Sequence, residues 1–443
     1  RTKTTRQIAK ELDVEYILEG TVQRERPTDP KSRVRVIPQL IRGSDDSHIW
    51  AETYDNDMSG VFQMQSDLAE RVARALDVAI LETEREEIQS RPTENIEAYG
   101  YYLHGNDYFE TGRHTELESD IRMAIQMYEK AIDLDPSFAL AYAQLARAHM
   151  LMYWFRFDGS EERLAMAKRA VDEAYRLRPD LAEVRLARGH YSYHGYLDYD
   201  RALEEFRGAL KIQPKNSEVL AFIGYVQRRQ GKFEEAVESL EKARALNPLP
   251  SGLIRDLGMT FTLLRRYPEA ERCLKQAISL APDQATGYNG LASLYLVWQG
   301  DVAKARAVLE EGLAAVGSSE DKHFAENLIM ADILDRSFQN ALDRLSRNPL
   351  DVDTQFRFVP EELCRAKIYE YMGLKSSAEP RYEKARALLE AKVQESPEDD
   401  RFHSSLGLAY AGLGRKEDAI REGKRAVELM PVTKEAWRGL DRV

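Results

Sequence analysis

The stretch EVLAFIGYVQRRQGKFEEAVESLEKARALNP runs from Glu218 to Pro248, with small residues at Gly224, Ala236 and Ala243. Steps of 12, 16, 19 and 24 residues from Gly224 reach Ala236, Leu240, Ala243 and Pro248. The same steps from Gly258 reach Ala270, Leu274, Ala277 and Pro282, and from Gly407 they reach Ala419, Gly423, Ala426 and Pro431. Pro214, Pro248 and Pro282 therefore lie 34 residues apart. A fixed period of this length marks a repeat architecture.

The pattern predicts one helix from about Glu218 to Gln230, a turn at Gly231, and a second helix from about Phe233 to Leu246. Pro248 stops the second helix, because proline has no amide hydrogen to donate and clashes with the preceding turn. Gly224 and Ala236 let the two backbones approach, while Leu220, Ile223, Leu240 and Ala243 fill the seam at helical spacing. Glu234 and Glu235 open the second helix and Lys242 and Arg244 close it, which suits the helix dipole. One hairpin cannot bury both of its faces, so neighbours must stack.

On these residues the chain resembles the tetratricopeptide repeat family. Further copies run through Gly105, Tyr108, Ala124, Tyr128, Ala131 and Pro136, and through Leu145, Ala146, Ala167, Ala174 and Pro179. They carry seven and nine extra residues. Gly189, Ala202, Phe206, Ala209 and Pro214 form a copy with one insertion, as do Tyr288, Leu291, Ala292, Tyr295, Ala305 and Leu309. Residues 320–349 read as a degenerate copy, and 360–397 as one with a lengthened second helix. The expected fold is mainly α: a right-handed superhelix of about nine hairpins over residues 98–443, strongest at about 182–317 and 400–431. A small α/β domain at 1–90 and a linker at 91–97 precede it.

Within 1–90, Tyr16–Arg24, Val34–Ile41 and His48–Tyr54 read as strands of an antiparallel meander. A long helix is predicted from about Ser59 to Gln89, with Phe62, Met64, Leu68, Val72, Leu76 and Ile80 on one face. This block resembles the TolB-like (FlgO-like) domain found ahead of tetratricopeptide arrays in bacterial signalling proteins. The matching residues include Tyr16-Ile17-Leu18-Glu19-Gly20, Val34-Arg35-Val36 and Ile49-Trp50-Ala51-Glu52-Thr53-Tyr54-Asp55. The resemblance implies a sensory or scaffolding module beside a kinase, cyclase or winged-helix effector. It also implies the periplasmic side of a membrane-anchored protein, with the cytoplasm as the alternative. Arg1 at the start, and Glu435-Ala436-Trp437 opening what reads as another first helix, predict a fragment trimmed at both ends.

Composition narrows the function classes. The net charge of -12 argues against nucleic acid as the principal partner, because phosphate binding needs a positive surface. Cys273 and Cys364 lie in different repeats and suggest neither a disulfide framework nor a zinc site. No apolar run approaches the ~20 residues of a membrane span. No phosphate-cradling loop, nucleophile elbow, zincin helix or kinase signature is present. A non-catalytic module without cofactor is therefore expected. His190 and His194, four apart on one helical face, are the best metal candidates, against the alternative that they pack beside Tyr191 and Tyr193.

Two features point to binding of a protein or peptide. Arg147, His190, Tyr225, Arg228, Arg255 and Asn289 are expected on first helices facing the concave groove. Arginine suits such a groove, because its planar fork binds carboxylates bidentately. The apolar run Met150–Phe157, with Met152, Trp154, Phe155 and Phe157, is the candidate interface for a partner or homodimer, unless it packs over the insertion of its own repeat. A small-molecule sensor is the remaining alternative.

Overall fold

The computed structural model describes residues 4–12, 14–24, 33–57, 61–78, 80, 85, 91–317 and 321–437. Helix α1 (Thr5–Leu12) leads into strands β1 (Tyr16–Arg24), β2 (Arg33–Arg42), β3 (Ser47–Ala51) and β4 (Tyr54–Asp57). Strand β2 is central: β1 pairs along one edge, with Ile17 opposite Ile41 and Val22 opposite Val36. Strands β3 and β4 share the other edge. The single predicted strand from His48 to Tyr54 is thus broken in two. The break falls opposite Pro38, which has no amide hydrogen for the ladder; the Glu52 amide still donates to the Pro38 carbonyl at 3.3 Å.

The predicted helix from Ser59 to Gln89 is also shorter than expected. Helix α2 spans Val61–Ala75. It closes where Asp77 adopts a left-handed backbone (φ 53) and the Val78 amide bonds back to the Ala73 carbonyl. Residues 59, 60, 79, 81–84 and 86–89, part of that expectation, lie outside the described residues. Phe62 of α2 packs on Tyr99, with ring centres 4.7 Å apart, and so joins this unit to the first repeat.

Nine helical hairpins follow among the described residues. They are α3–α4 (Ile96–Thr115, Glu118–Leu134), α5–α6 (Ala139–Trp154, Glu161–Leu177) and α7–α8 (Ala182–His190, Tyr199–Ile212). Next come α9–α10 (Ser217–Arg229, Phe233–Leu246), α11–α12 (Ser251–Leu263, Tyr267–Leu280) and α13–α14 (Ala285–Gln299, Val302–Val316). The last three are α15–α16 (Asp321–Leu334, Phe338–Arg347), α17–α18 (Glu361–Tyr371, Lys375–Glu395) and α19–α20 (Asp400–Gly412, Lys416–Leu429). The helix boundaries predicted from residues 218–248 hold to within a residue.

One backbone rule closes all nine hairpins. Each turn passes through a residue with positive φ: Glu116, Arg156, Leu197, Gly231, Arg265, Gly300, Arg336, Gly373 and Gly414. Four of these are glycine, which adopts that conformation without steric cost; the others do not. The seam is equally regular. A Cβ on Gly189 would lie 2.2 Å from the Phe206 ring, and one on Gly224 would lie 2.8 Å from Leu240. Both partners are fully buried, so the small position on the first helix is what admits the large side chain of the second.

The inserted residues are absorbed locally. The extra residue of the third hairpin becomes a π-helical turn, Tyr191–Gly195, at the end of α7. The seven extra residues of the first hairpin go largely into the length of α3. Between α16 and α17 lies an element that periodicity did not foretell, a small β-hairpin of β5 (Val352–Asp353) and β6 (Phe358–Val359). Phe358 of this hairpin packs edge-on against Phe402 with ring centres 5.1 Å apart.

Candidate functional site

The first helices of hairpins one, two, four and five carry buried or half-buried arginines that pair across units. Arg147 is 4% exposed; it donates to Glu218 at 2.5 Å and to Gln144 at 2.7 Å, and lies 4.9 Å from the Phe109 ring centre. Arg113 reaches the same Glu218 at 3.3 Å and also pairs with Glu110. One carboxylate of the fourth hairpin thus bridges arginines of the first and second. Arg228 donates to the Asp256 carboxylate at 3.3 Å and to the Asp256 carbonyl at 3.1 Å. Arg255 pairs with the same carboxylate at 3.3 Å.

Arg229, next to Arg228, is as deeply buried. Its Nε donates to the Tyr193 hydroxyl at 3.1 Å, and the Glu435 carboxylate lies 3.7 Å away. Three ring centres lie within 5.5 Å of the guanidinium, those of Trp154, Phe356 and Trp437. Burial works against the charge of each of these arginines. For Arg228 it wins and pushes the pKa down, with Asp256 opposing. For Arg113, Arg229 and Arg255 the neighbouring acids and tyrosines more than offset it. Asp256 stays below the usual carboxylate range despite burial, held there by Arg255 and Arg228.

The predicted groove residues therefore fall into separate settings. Arg228 and Arg255 meet at Asp256 beside Tyr225, and the Arg228 guanidinium is 5.4 Å from the Tyr225 ring centre. Arg147 belongs to the other pairing, sharing Glu218 with Arg113. Asn289 stands apart and accepts from Asn327 at 2.8 Å. His190 is 2% exposed and wedged edge-on against Phe222, with ring centres 4.1 Å apart. Arg228 and Arg147 are covered, whereas the Arg255 and Arg113 side chains keep 20% and 23% of their surface open. Sequence reasoning missed Arg113, Glu218, Arg229, Phe356 and Glu435 as members of this cluster. The adjacent arginines at 228 and 229 were the one available signal.

The metal candidates are core residues. His190 and His194 stack edge to face, 5.1 Å between ring centres, inside a cage of Trp154, Phe206 and Phe222. Burial pushes His194 down to about 3, with Arg229 adding to it, and holds His190 well below its ordinary value. Among the described residues no group of three or more His, Cys, Asp or Glu converges on a metal position. Burial also raises the Cys273 and Cys364 thiols to about 11, so neither is a ready thiolate.

The apolar run at 150–157 is buried over Met150–Met152 and half-buried from Tyr153 to Phe157. Met150 and Met152 have no exposed surface. Trp154 stacks on His194 at 4.5 Å and lies under Arg229, while Phe155 and Phe157 lean on each other with centres 5.9 Å apart. The alternative, packing over the insertion, has a local basis: the insertion folds back, with Arg156 in the left-handed conformation and the Asp158 amide donating to the Met152 carbonyl. Among the described residues no helix is long and apolar enough to cross a membrane.

Tetratricopeptide-repeat family models match residues 197–259, 256–320 and 366–432. These segments run from the second helix of hairpin three through hairpin six, and over most of hairpins eight and nine, and the chain carries tetratricopeptide repeats. A Rhizobium meliloti (strain 1021) protein named "Putative adenylate cyclase 3" is 27% identical over 213 residues, 46% of this chain and 33% of that protein. The Hsp70-Hsp90 organizing protein of Triticum aestivum is 36% identical over 90 residues, 20% of this chain and 15% of that protein. The chain spans a third or less of the length of these relatives. Among solved structures, the human IFIT1 dimer with m7Gppp-AAAA aligns with a TM-score of 0.46 at 15% identity, covering 83% of this chain and 77% of that chain. The type IV pilus biogenesis factor PilW aligns with a TM-score of 0.38 at 19% identity, covering 49% and 92%.

Proposed function

We propose, from the premise that this chain carries tetratricopeptide hairpins, that it is a non-catalytic scaffold holding a protein or peptide segment on its concave face. The carrying observation is the set of Arg113, Arg147, Arg228, Arg229 and Arg255 on the first helices of the first, second, fourth and fifth hairpins. Arg113 and Arg255 form its accessible end, beside Tyr225. A carboxylate-bearing segment is the ligand class that suits them, because guanidinium groups with fixed partners lose little freedom on binding a further carboxylate. The likeness to a protein named as an adenylate cyclase supports a bacterial signalling role, in which this chain recruits or senses for an effector. The TolB-like reading of residues 1–90, the linker at 91–97 and the repeat array from 98 onward form part of the same proposal.

Display of random peptides against the chain tests the reading. Selected peptides should be enriched in Asp and Glu, and should lose affinity for a chain carrying Arg113→Ala and Arg255→Ala. Selection that yields no consensus, or peptides indifferent to both substitutions, would sink it. The dimer reading retains only the half-buried Tyr153–Phe157 end of the 150–157 run, and no particular observation favours a small-molecule sensor.

A further inference from the structure

The segment after α20 does not begin another repeat helix over its described residues, as Glu435-Ala436-Trp437 suggested; residues 431–437 form turns laid against the inner face. Glu435 is fully buried and lies 3.7 Å from Arg229. The Ala436 amide donates to the Arg229 carbonyl at 2.7 Å, a contact across more than 200 residues of chain. The Trp437 ring is covered by Arg228 at 4.3 Å and Arg229 at 4.9 Å, and it stacks on Phe356 of the β5–β6 tip at 5.5 Å with 20° between the planes. A carboxylate, a backbone amide and an indole are thus read together. They are the elements by which a groove grips an extended peptide.

The fit is incomplete. At 3.7 Å the Glu435 carboxylate is within ion-pair range of Arg229 but beyond a hydrogen bond, and Arg229 Nη1 is buried without a hydrogen-bond partner. Glu435 Oε1 instead accepts from its own neighbour, the Trp437 amide, at 2.9 Å. A buried donor left unmade favours any segment that can place its carboxylate closer.

We propose that Glu435-Ala436-Trp437 is an intramolecular ligand of this groove, and that the external partner is a segment with a carboxylate and, two residues on, an aromatic ring. This rests on the groove reading above and names its specificity. Partner binding then requires displacement of residues 435–437, so the free chain is held in a self-occupied state.

The probe is the end-blocked peptide Pro-Val-Thr-Lys-Glu-Ala-Trp, with the sequence of residues 431–437, titrated into the full chain. A chain carrying Glu435→Gln and Trp437→Ala should bind it at least tenfold more tightly than the unaltered chain does. Replacing the Glu or the Trp of the peptide should abolish that gain. In the unaltered chain, saturating peptide should speed hydrogen exchange at the Ala436 amide, a readout that survives if the double variant folds poorly. Equal affinity for both chains, or a gain indifferent to the peptide's Glu and Trp, overturns the inference. So does exchange at Ala436 that saturating peptide leaves unchanged. Display-selected peptides that bind through Arg113 and Arg255 while leaving Ala436 exchange unaltered would remove this inference and keep the groove.

Discussion

The Arg228 guanidinium lies 4.3 Å from the centre of the Trp437 ring, joining the fourth hairpin to the segment beyond the ninth. A cation over an indole face contributes about 0.5–2 kcal/mol, more as water is excluded. With Arg229 and Phe356 on the same ring, Trp437→Ala should lower unfolding stability by about 2 kcal/mol, and Trp437→Phe by less. Urea denaturation of the two variants checks this; equal stability of Trp437→Ala and the unaltered chain would mean that the contact is loose.

Glu218 is the shared counter-charge of Arg113 and Arg147. Removing it leaves two guanidiniums facing each other with Arg147 buried, whereas removing Arg147 leaves Glu218 paired with Arg113. Breaking a buried pair from one side costs about 3–5 kcal/mol. Glu218→Gln should therefore cost more than Arg147→Met, which keeps the packing on Phe109. Chemical denaturation of both variants decides it, and the reverse order would refute the bridging role.

Arg265 is exposed and turns the fifth hairpin with φ 57, where the fourth uses Gly231 at φ 77. A side chain in the left-handed region costs roughly 1 kcal/mol relative to glycine. Arg265→Gly should raise stability by about that amount, and Arg265→Ala should leave it unchanged. A melting temperature lowered by the glycine would contradict the turn rule.

Gly189→Ala forces a methyl group into the Phe206 ring, whose side chain is fully buried. Overpacking of this kind costs about 1–3 kcal/mol, against a gain of under about 1 kcal/mol in helix propensity. The expected outcome is net destabilisation, partly relieved when Phe206→Leu is added. Additive losses in a double-mutant cycle would show that the two residues do not compete for one space.

Acid should weaken the chain before its carboxylates titrate. Burial holds His149 at about 4 and His194 at about 3, and keeps His190 well below 6.5, with nearby arginines adding to each. Above pH 6.5 these rings are neutral whether the chain is folded or not. Below it the unfolded chain takes up protons that the folded chain refuses. Stability should fall from pH 6.5 towards 4, by up to about 1.4 kcal/mol per pH unit for each histidine. Unfolding measured across that window should show the slope, and His149→Phe should reduce it; a flat profile would mean that the rings are solvated.

The repeat unit was legible because it is local: Gly224 facing Leu240, Gly231 in the turn and Pro248 after the helix are all set within 34 residues. The strands were legible from alternation, but the break opposite Pro38 needed the register of β2. The cluster itself was only half legible. Periodicity picks out the first helices and so finds Arg147, Arg228 and Arg255. It carries no information on which distant units meet, so neither Glu435 beside Arg229 nor Phe356 under Trp437 could be read from spacing. For the run Met150–Phe157 both readings, display and packing over the insertion, stayed open in the sequence, because the seam, the insertion and the ring beside Arg229 draw on the same apolar side chains.

The most direct test of the binding face is calorimetric titration of a display-selected acidic peptide into the unaltered chain and into the Arg113→Ala, Arg255→Ala chain. A loss of at least tenfold in affinity, with the variant's melting transition intact, is the predicted result. Unchanged affinity would contradict the claim that these arginines form the binding surface.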